Sequence, residues 1–206
     1  MNINGCNPIH IFGGYRTAAA VDSEGSIFVI TNRDMEGGAS IFERSVLPCS
    51  EKPVSIACCV DSIIAAGSSG RAFFARVSYK DKAGGRVSFE LMKDRELEGK
   101  EIIEVSGINE HFLAVCKDGR VLSRGSNSCG QLGLGPGNLG EKEFTEISAL
   151  NKYQIISASA GCGHSLFITS EGKVLACGCN FFGELLANKT SSNAYSPIGT
   201  TITSGA

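Results

Sequence analysis

HFLAVCKDGRVLSRGSNSCGQLG, residues His111–Gly133, and HSLFITSEGKVLACGCNFFGELL, residues His164–Leu186, superimpose without a gap. At a constant offset of 53, His111 falls on His164, Gly119 on Gly172, Val121 on Val174, Gly125 on Gly178, Asn127 on Asn180 and Gly130 on Gly183. Identities at fixed spacing over such a length mark a duplicated unit. Fainter copies lie upstream, where Gly25 and Gly70 take the place of Gly119, with steps of 45, 49 and 53 residues between the four glycines. Positions that did not define this alignment obey it. An apolar pair precedes each glycine at the same distance: Ile9 and Ile11, Val54 and Ile56, Ile103 and Val105, Ile156 and Ala158.

Each copy reads as four short strands. The apolar pair, spaced by two, puts both side chains on one face of a first strand. The second strand alternates, as in Leu113 and Val115 or Leu166 and Ile168. A two-residue turn, Asp118-Gly119 or Glu171-Gly172, reverses the chain into a third strand, RVLSR or KVLAC. The fourth strands are SIFERSVL, RVSFELM, EFTEIS and, near the C-terminus, SPIGTTI. No apolar stripe of helical period runs beyond two turns. Repeats of this length with four strands each are the signature of a β-propeller, because one blade cannot bury both its faces and must stack on neighbours. The expected fold is all-β: four repeats of four antiparallel strands forming a partial, open propeller. Residues 1–206 make one repeat domain, with blades at about 1–50, 51–98, 99–150 and 151–206. A two-sheet sandwich is the competing architecture.

Composition fits this reading. Glycine numbers 26 of 206 residues, about 13% against the usual ~7%, and much of the surplus is repeat punctuation. Nineteen basic against 21 acidic residues, net −2, gives no strong case for a nucleic-acid surface. No apolar run approaches a membrane-spanning length, and the N-terminus lacks the pattern of a secretory signal. Nine cysteines without such a signal favour reduced thiols and an intracellular protein, cytoplasmic or nuclear.

The run Gly125-x-Asn127-x-x-Gly130-Gln131-Leu132-Gly133, preceded by a histidine, a turn glycine and a Val-Leu strand, resembles the repeat of the regulator of chromosome condensation family. The resemblance is strong over about 100–186 and weak over 1–99. Tryptophan-aspartate repeats fit less well, since the chain has no tryptophan, and the double glycine of kelch repeats is out of register. The fourth copy departs from the motif at Glu184 and Leu186. The first two copies lose it, with Thr31 and Arg33, then Arg76 and Ser78, at the positions of Gly125 and Asn127. Their connections from third to fourth strand are expected to differ in shape.

Most of the conspicuous residues read as architecture. Gly25, Gly70, Gly119 and Gly172 serve the inner hairpins, and Gly125, Asn127, Gly130, Gly178, Asn180 and Gly183 the outer turns. His111 and His164 recur at the scaffold period, which argues for an imidazole bonded to backbone in the neighbouring blade rather than for catalysis. Cys162, His164, Cys177 and Cys179 are the one set that zinc could use, but Cys162 and Cys177 occupy repeat positions filled by Asn109 and Arg124, so no metal is expected. Gly133-x-Gly135-x-Gly137 is followed by neither Lys-Ser/Thr nor a helix start, which leaves a surface loop. The stretch from Lys80 to Lys100 mixes charges of both signs, as a solvated outer strand does. No nucleophile elbow or other catalytic constellation is present, and no cofactor is expected.

Binding is therefore expected on the rim loops. Arg71, Asp118, Arg120, Arg124, Glu171 and Lys173, with the loop from Pro136 to Lys142, are the candidates for contact with a protein partner. The resemblance implies two functions: a non-enzymatic interaction module, the use of these repeats in ubiquitin ligases, kinases and membrane-traffic regulators, or guanine-nucleotide exchange on a Ran-like small GTPase, the founding member's activity. Four blades are few for a closed ring. An open arc exposes its end faces, so self-association or incorporation into a larger complex is expected as well.

Overall fold

Short alternating apolar segments, each closed by a glycine turn, fold into four antiparallel sheets. The computed structural model describes residues 8–32, 39–41, 44–77, 87–135 and 138–185. β1 (Pro8–Gly13), β2 (Thr17–Asp22), β3 (Ile27–Asn32) and β4 (Ala39–Ile41) form the first sheet, and β5 (Pro53–Cys58), β6 (Ser62–Gly67), β7 (Ala72–Arg76) and β8 (Glu90–Leu91) the second. β9 (Ile102–Ile108), β10 (His111–Cys116), β11 (Val121–Ser126) and β12 (Gly140–Glu146) form the third, and β13 (Ile155–Ala160), β14 (His164–Thr169) and β15 (Val174–Gly178) the fourth. The expected final strand, SPIGTTI, and the third-to-fourth connections of the first two blades lie outside the described residues. No α-helix occurs among the described residues; single 3₁₀ turns at Pro48–Ser50, Arg95–Leu97 and Ser148–Leu150 lead into the next blade.

Strand register reproduces the sequence alignment. Thr17 pairs with Thr31, Ser62 with Arg76, His111 with Gly125 and His164 with Gly178, the same repeat position in all four blades. Consecutive first strands pack on one another, β1 on β5, β5 on β9 and β9 on β13, so they form the inner rim of the arc.

Two local expectations need correction. The hairpin joining second to third strand has three loop residues rather than two. In the third blade Cys116 and Arg120 close the hairpin through Cys116 N to Arg120 O at 2.8 Å, and Gly119 N donates to Cys116 O at 2.9 Å. Asp118 keeps negative φ and only Gly119, at φ +83°, is left-handed. This is a type I turn followed by a left-handed glycine, the common three-residue hairpin, and the equivalent bonds recur at Asp22, Gly67 and Thr169.

The apolar pair does not share a face. Its first member is in each blade a β-bulge: the register slips between Pro8 and His10, Pro53 and Ser55, Ile102 and Glu104, and Ile155 and Ser157. The extra residue, Ile9, Val54, Ile103 or Ile156, leaves the ladder and turns to solvent. Its second member packs on the preceding blade. Ile56, Val105 and Ala158 are 3%, 4% and 4% exposed, whereas Ile11, with no blade before it, is 75% exposed.

Three apolar clusters fill the seams between blades. Ala19, Val21 and Ile27 meet Ile56, Ile63 and Phe73 in the first; Ile64 and Ala66 meet Val105, Phe112 and Phe144 in the second; Leu113, Val115 and Val121 meet Ala158, Phe167 and Leu175 in the third. Each fully buried Val, Leu, Ile or Phe among them contributes about 1.5–3 kcal/mol. The second strands β6 and β10 are buried on both faces, as blade stacking demands. The arc stays open.

Candidate functional site

The third seam is held by a buried relay. His111 Nε2 lies 3.0 Å from Ser165 Oγ, and Ser165 Oγ donates to Gln131 O at 2.7 Å. A hydroxyl has one proton, so His111 must donate through Nε2–H, which leaves Nδ1 without a hydrogen on it and without a partner. The imidazole therefore bonds a neighbouring side chain, not the neighbouring backbone that its repetition suggested. A histidine in this tautomer cannot take the serine proton, and both residues are fully buried, so the pair has a structural arrangement rather than that of a nucleophile and its base. Burial and the nearby His164 push the His111 pKa down to about 4. His164 occupies the same place in the last blade and is only half-buried.

The outer turns are organised by asparagine. Asn127 Oδ1 accepts from Leu132 N at 2.8 Å while its Nδ2 donates to Asn138 O at 2.8 Å. Asn180 Oδ1 accepts from Leu185 N at 2.9 Å in the same way. Gly130 N donates to Asn127 O and Gly183 N to Asn180 O, closing the two turns. Opposite each repeated histidine a Cβ cannot be accommodated. At Gly125 it would lie 2.1 Å from Glu110 O, and at Gly178 2.4 Å from Gly163 O.

The cysteines diverge. Cys177 is buried and donates to Gln131 O at 3.5 Å, while the exposed Cys162 accepts from Asn109 Nδ2 at 3.7 Å. Among the described residues no group of three or more histidine, cysteine or acidic side chains is placed to hold a metal ion. Burial raises the Cys58 and Cys177 thiols to about 12 and Cys116 to about 11, which makes them poor nucleophiles. Of the glycine-rich stretch after Leu132, positions 136 and 137 lie outside the described residues, and from position 138 the chain runs into β12.

The charged candidates separate into two groups. Arg71, Asp118, Arg120, Glu171 and Lys173 stand on the second-to-third strand hairpins at one face of the arc. Arg71 reaches Glu51 at 2.6 Å, Arg120 reaches Asp118 at 2.5 Å and Lys173 reaches Glu171 at 2.7 Å. Glu51 is nearly covered and also accepts from both Ser69 hydroxyl and amide and from Ser68. The Ser69 hydroxyl bond, with Arg71 beside it, outweighs desolvation and holds this carboxyl down at about 2. Arg124 belongs elsewhere: it lies in strand β11, half-buried, with its guanidinium 5.8 Å from the Phe74 ring and 5.9 Å from the Phe144 ring. It is packed in the second seam, away from the loops.

The same face carries a feature that the shared-face reading of the apolar pair missed. The bulge puts Ile9, Val54, Ile103 and Ile156 at the start of each inner strand, 57%, 54%, 40% and 51% exposed. The charged hairpins stand beside them in the second, third and fourth blades, because there the residue two before the bulge is bonded to the hairpin of its own blade: Ser68 N to Lys52 O, Lys117 N to Glu101 O and Ser170 N to Gln154 O, each at 2.8 Å. Hairpins also reach forward. Ile102 N donates to Gly70 O at 2.9 Å and Ile155 N to Gly119 O at 3.2 Å, while Pro53 has no N–H to give at the equivalent place. The result is an arc of four apolar side chains bordered by ion pairs. The matching exposure and the repeated register slips are the signal; an apolar pair spaced by two gives no hint of a bulge.

Stacked antiparallel blades of four strands, with three described in the last, and with their first strands innermost define an open β-propeller repeat protein. Residues 118–168 and 155–184 match the family described as the regulator of chromosome condensation (RCC1) repeat. The probable E3 ubiquitin-protein ligase HERC6 of Homo sapiens is 41% identical over 95 residues, covering 45% of this chain and 9% of that protein. Human WBSCR16 superimposes with a TM-score of 0.74 at 14% identity, over 99% of this chain and 55% of that structure. Prp20p of Saccharomyces cerevisiae, whose structure was reported with its binding properties to Gsp1p and histones, superimposes with a TM-score of 0.68 at 16% identity, over 98% of this chain and 52% of that structure. Residues 118–184 therefore match regulator of chromosome condensation repeats. The chain spans about half the length of these solved propellers and a far smaller part of the ligase. Among the described residues no helix is long and apolar enough to cross a membrane.

Proposed function

We propose that this chain is a non-enzymatic protein-interaction module that binds its partner on the hairpin face, with Ile9, Val54, Ile103 and Ile156 as the apolar centre. The observation that carries this reading is the recurrence of one exposed apolar bulge in all four blades. An arc of apolar groups inside a charged border has the layout of a protein-binding surface. Arg71, Asp118, Arg120, Glu171 and Lys173 would supply its border. The ion pairs Arg120–Asp118 and Lys173–Glu171 are exposed and cheap to exchange for contacts with a partner, whereas Arg71 is anchored on the covered Glu51. The fully free cysteines among the described residues fit a reducing compartment, nucleus or cytoplasm.

A second reading, guanine-nucleotide exchange on a Ran-like GTPase, is favoured by the likeness to Prp20p. It would use loop contacts rather than an acid or base. Two assays separate the readings. A partner recovered with the immobilised chain, then purified, is titrated against wild type and against Ile103→Ser combined with Ile156→Ser. The interaction reading expects at least a tenfold loss of affinity, and an unchanged affinity would sink it. Acceleration of nucleotide release from the GTPase at catalytic amounts of the chain would replace it with the exchange reading.

A further inference from the structure

Two half-buried cysteines lie together across the third seam, on the face opposite the charged hairpins. Cys129 stands in the outer turn of the third blade, and Cys179 directly follows β15 in the fourth. Both are held by their backbones. Cys129 N donates to the Gln131 side chain at 2.9 Å, inside the turn that Gly130 N closes on Asn127 O. Cys179 N donates to Gly163 O at 2.8 Å, a bond that the scaffold repeats: Ser126 N donates to Glu110 O at 2.9 Å and Val77 N to Asp61 O at 2.8 Å in the two blades before.

What differs is the acceptor residue. The repeat position holds Arg16, Asp61 and Glu110 in the first three blades and Gly163 in the fourth. A Cβ at Gly163 would lie 3.4 Å from Cys179 Cβ, 3.6 Å from Cys129 Sγ and 3.9 Å from Cys129 Cβ. Loss of the charged side chain thus leaves a gap bordered by both cysteines. Burial raises the Cys179 thiol and the neighbouring Cys129 raises it further, so the two groups interact directly. Cys58, Cys59, Cys116 and Cys177 are fully covered, whereas this pair can be reached from solvent.

We propose that Cys129 and Cys179 form a redox modification site, which a low-molecular-weight disulfide oxidises to an intramolecular bond that clasps the third blade to the fourth. One cysteine thiolate attacks a sulfur of the oxidant, whose S–S bond breaks, and the expelled thiolate takes up that cysteine's proton. The second cysteine thiolate attacks the first cysteine's sulfur in the mixed disulfide. The Cys129–Cys179 bond forms, and a second small thiol leaves with the second proton. Two cysteine sulfurs are oxidised and the two sulfurs of the oxidant are reduced. Closure brings the Cβ atoms to about 3.5–4.5 Å, across a gap that holds no side chain. The bond ties together segments that the seam otherwise joins through non-covalent contacts, and it restrains the unfolded chain.

The full chain incubated with glutathione disulfide, its remaining thiols then blocked and its disulfides located by peptide mass mapping, tests the proposal. A Cys129–Cys179 cross-link that dithiothreitol reverses is expected, with a melting temperature above that of the reduced chain. Cys129→Ser and Cys179→Ser should each melt as the reduced wild type does and gain nothing from the oxidant. Both thiols still free, glutathione retained on either cysteine as a stable mixed disulfide, or either cysteine bonded to Cys162 instead would overturn the proposal. So would a cross-link that lowers the melting temperature, or a rise that persists in either serine variant.

Discussion

His111 and Ser165, 54 residues apart, meet at 3.0 Å across the third seam, and the serine passes its own proton on to Gln131 O. Removing the hydroxyl strands the buried His111 N–H and leaves Gln131 O with only the weak Cys177 thiol donor. Ser165→Ala should destabilise the chain by about 1–3 kcal/mol, the cost of unsatisfied buried polar groups. Urea unfolding measures this directly, and a midpoint equal to wild type would show that the relay contributes nothing.

The same histidine makes stability depend on pH. In the unfolded chain its pKa is near 6.5 and in the folded chain about 4. Between these values the unfolded state holds the proton and the folded state does not, so stability is complete above pH 6.5 and declines as pH falls toward 4. The full decline is about 3 kcal/mol. Glu104 opposes it near the lower limit, because burial raises that carboxyl. The difference between wild type and His111→Gln isolates the histidine: the variant should lose less stability than wild type between pH 7 and pH 5.

Glu51 acts in a separate window. Its carboxyl titrates at about 2 when folded against 4.5 in the open chain, so the stability it supplies is present above pH 4.5 and is lost as pH drops through 2. At neutral pH Glu51→Gln should weaken the hairpin that Ser69 and Arg71 form with it. Hydrogen exchange at residues 68–71 should rise, and unfolding free energy should fall by roughly 1–3 kcal/mol.

The hairpin glycines provide an internal control for blade stacking. Gly70 and Gly172 have φ of +82° and +78°, so alanine costs both the left-handed penalty of about 1–2 kcal/mol. At Gly70 the new Cβ would also lie 2.9 Å from Glu101 Cα of the next blade, while at Gly172 it meets nothing within 4 Å. Gly70→Ala should therefore lower the melting temperature more than Gly172→Ala. Equal losses would mean that the neighbouring blade gives way freely.

The blades were legible in sequence because turn glycines and alternation are local and repeated. His111, Gly125 and Asn127 were legible as architecture for the same reason, although the partner of His111, Ser165, depends on how two blades meet and leaves no mark within one repeat. The bulges escaped notice because a bulged residue keeps the apolar identity of an inward one; only the ladder register exposes Val54 or Ile103. Arg124 misled in the opposite direction. A cation beside the motif glycine suggests a rim contact, yet the strand carries it between Phe74 and Phe144, where its guanidinium covers aromatic faces.

The claim that the hairpin face is the binding surface is tested most directly by hydrogen exchange on the chain alone and with its purified partner. Slowed exchange should appear at the starts of the inner strands, residues 53–55, 102–104 and 155–157, and in the hairpins at 68–71, 117–120 and 170–173. Protection confined to the opposite face, at residues 127–135 and 179–185, with the bulges unchanged, would contradict the account.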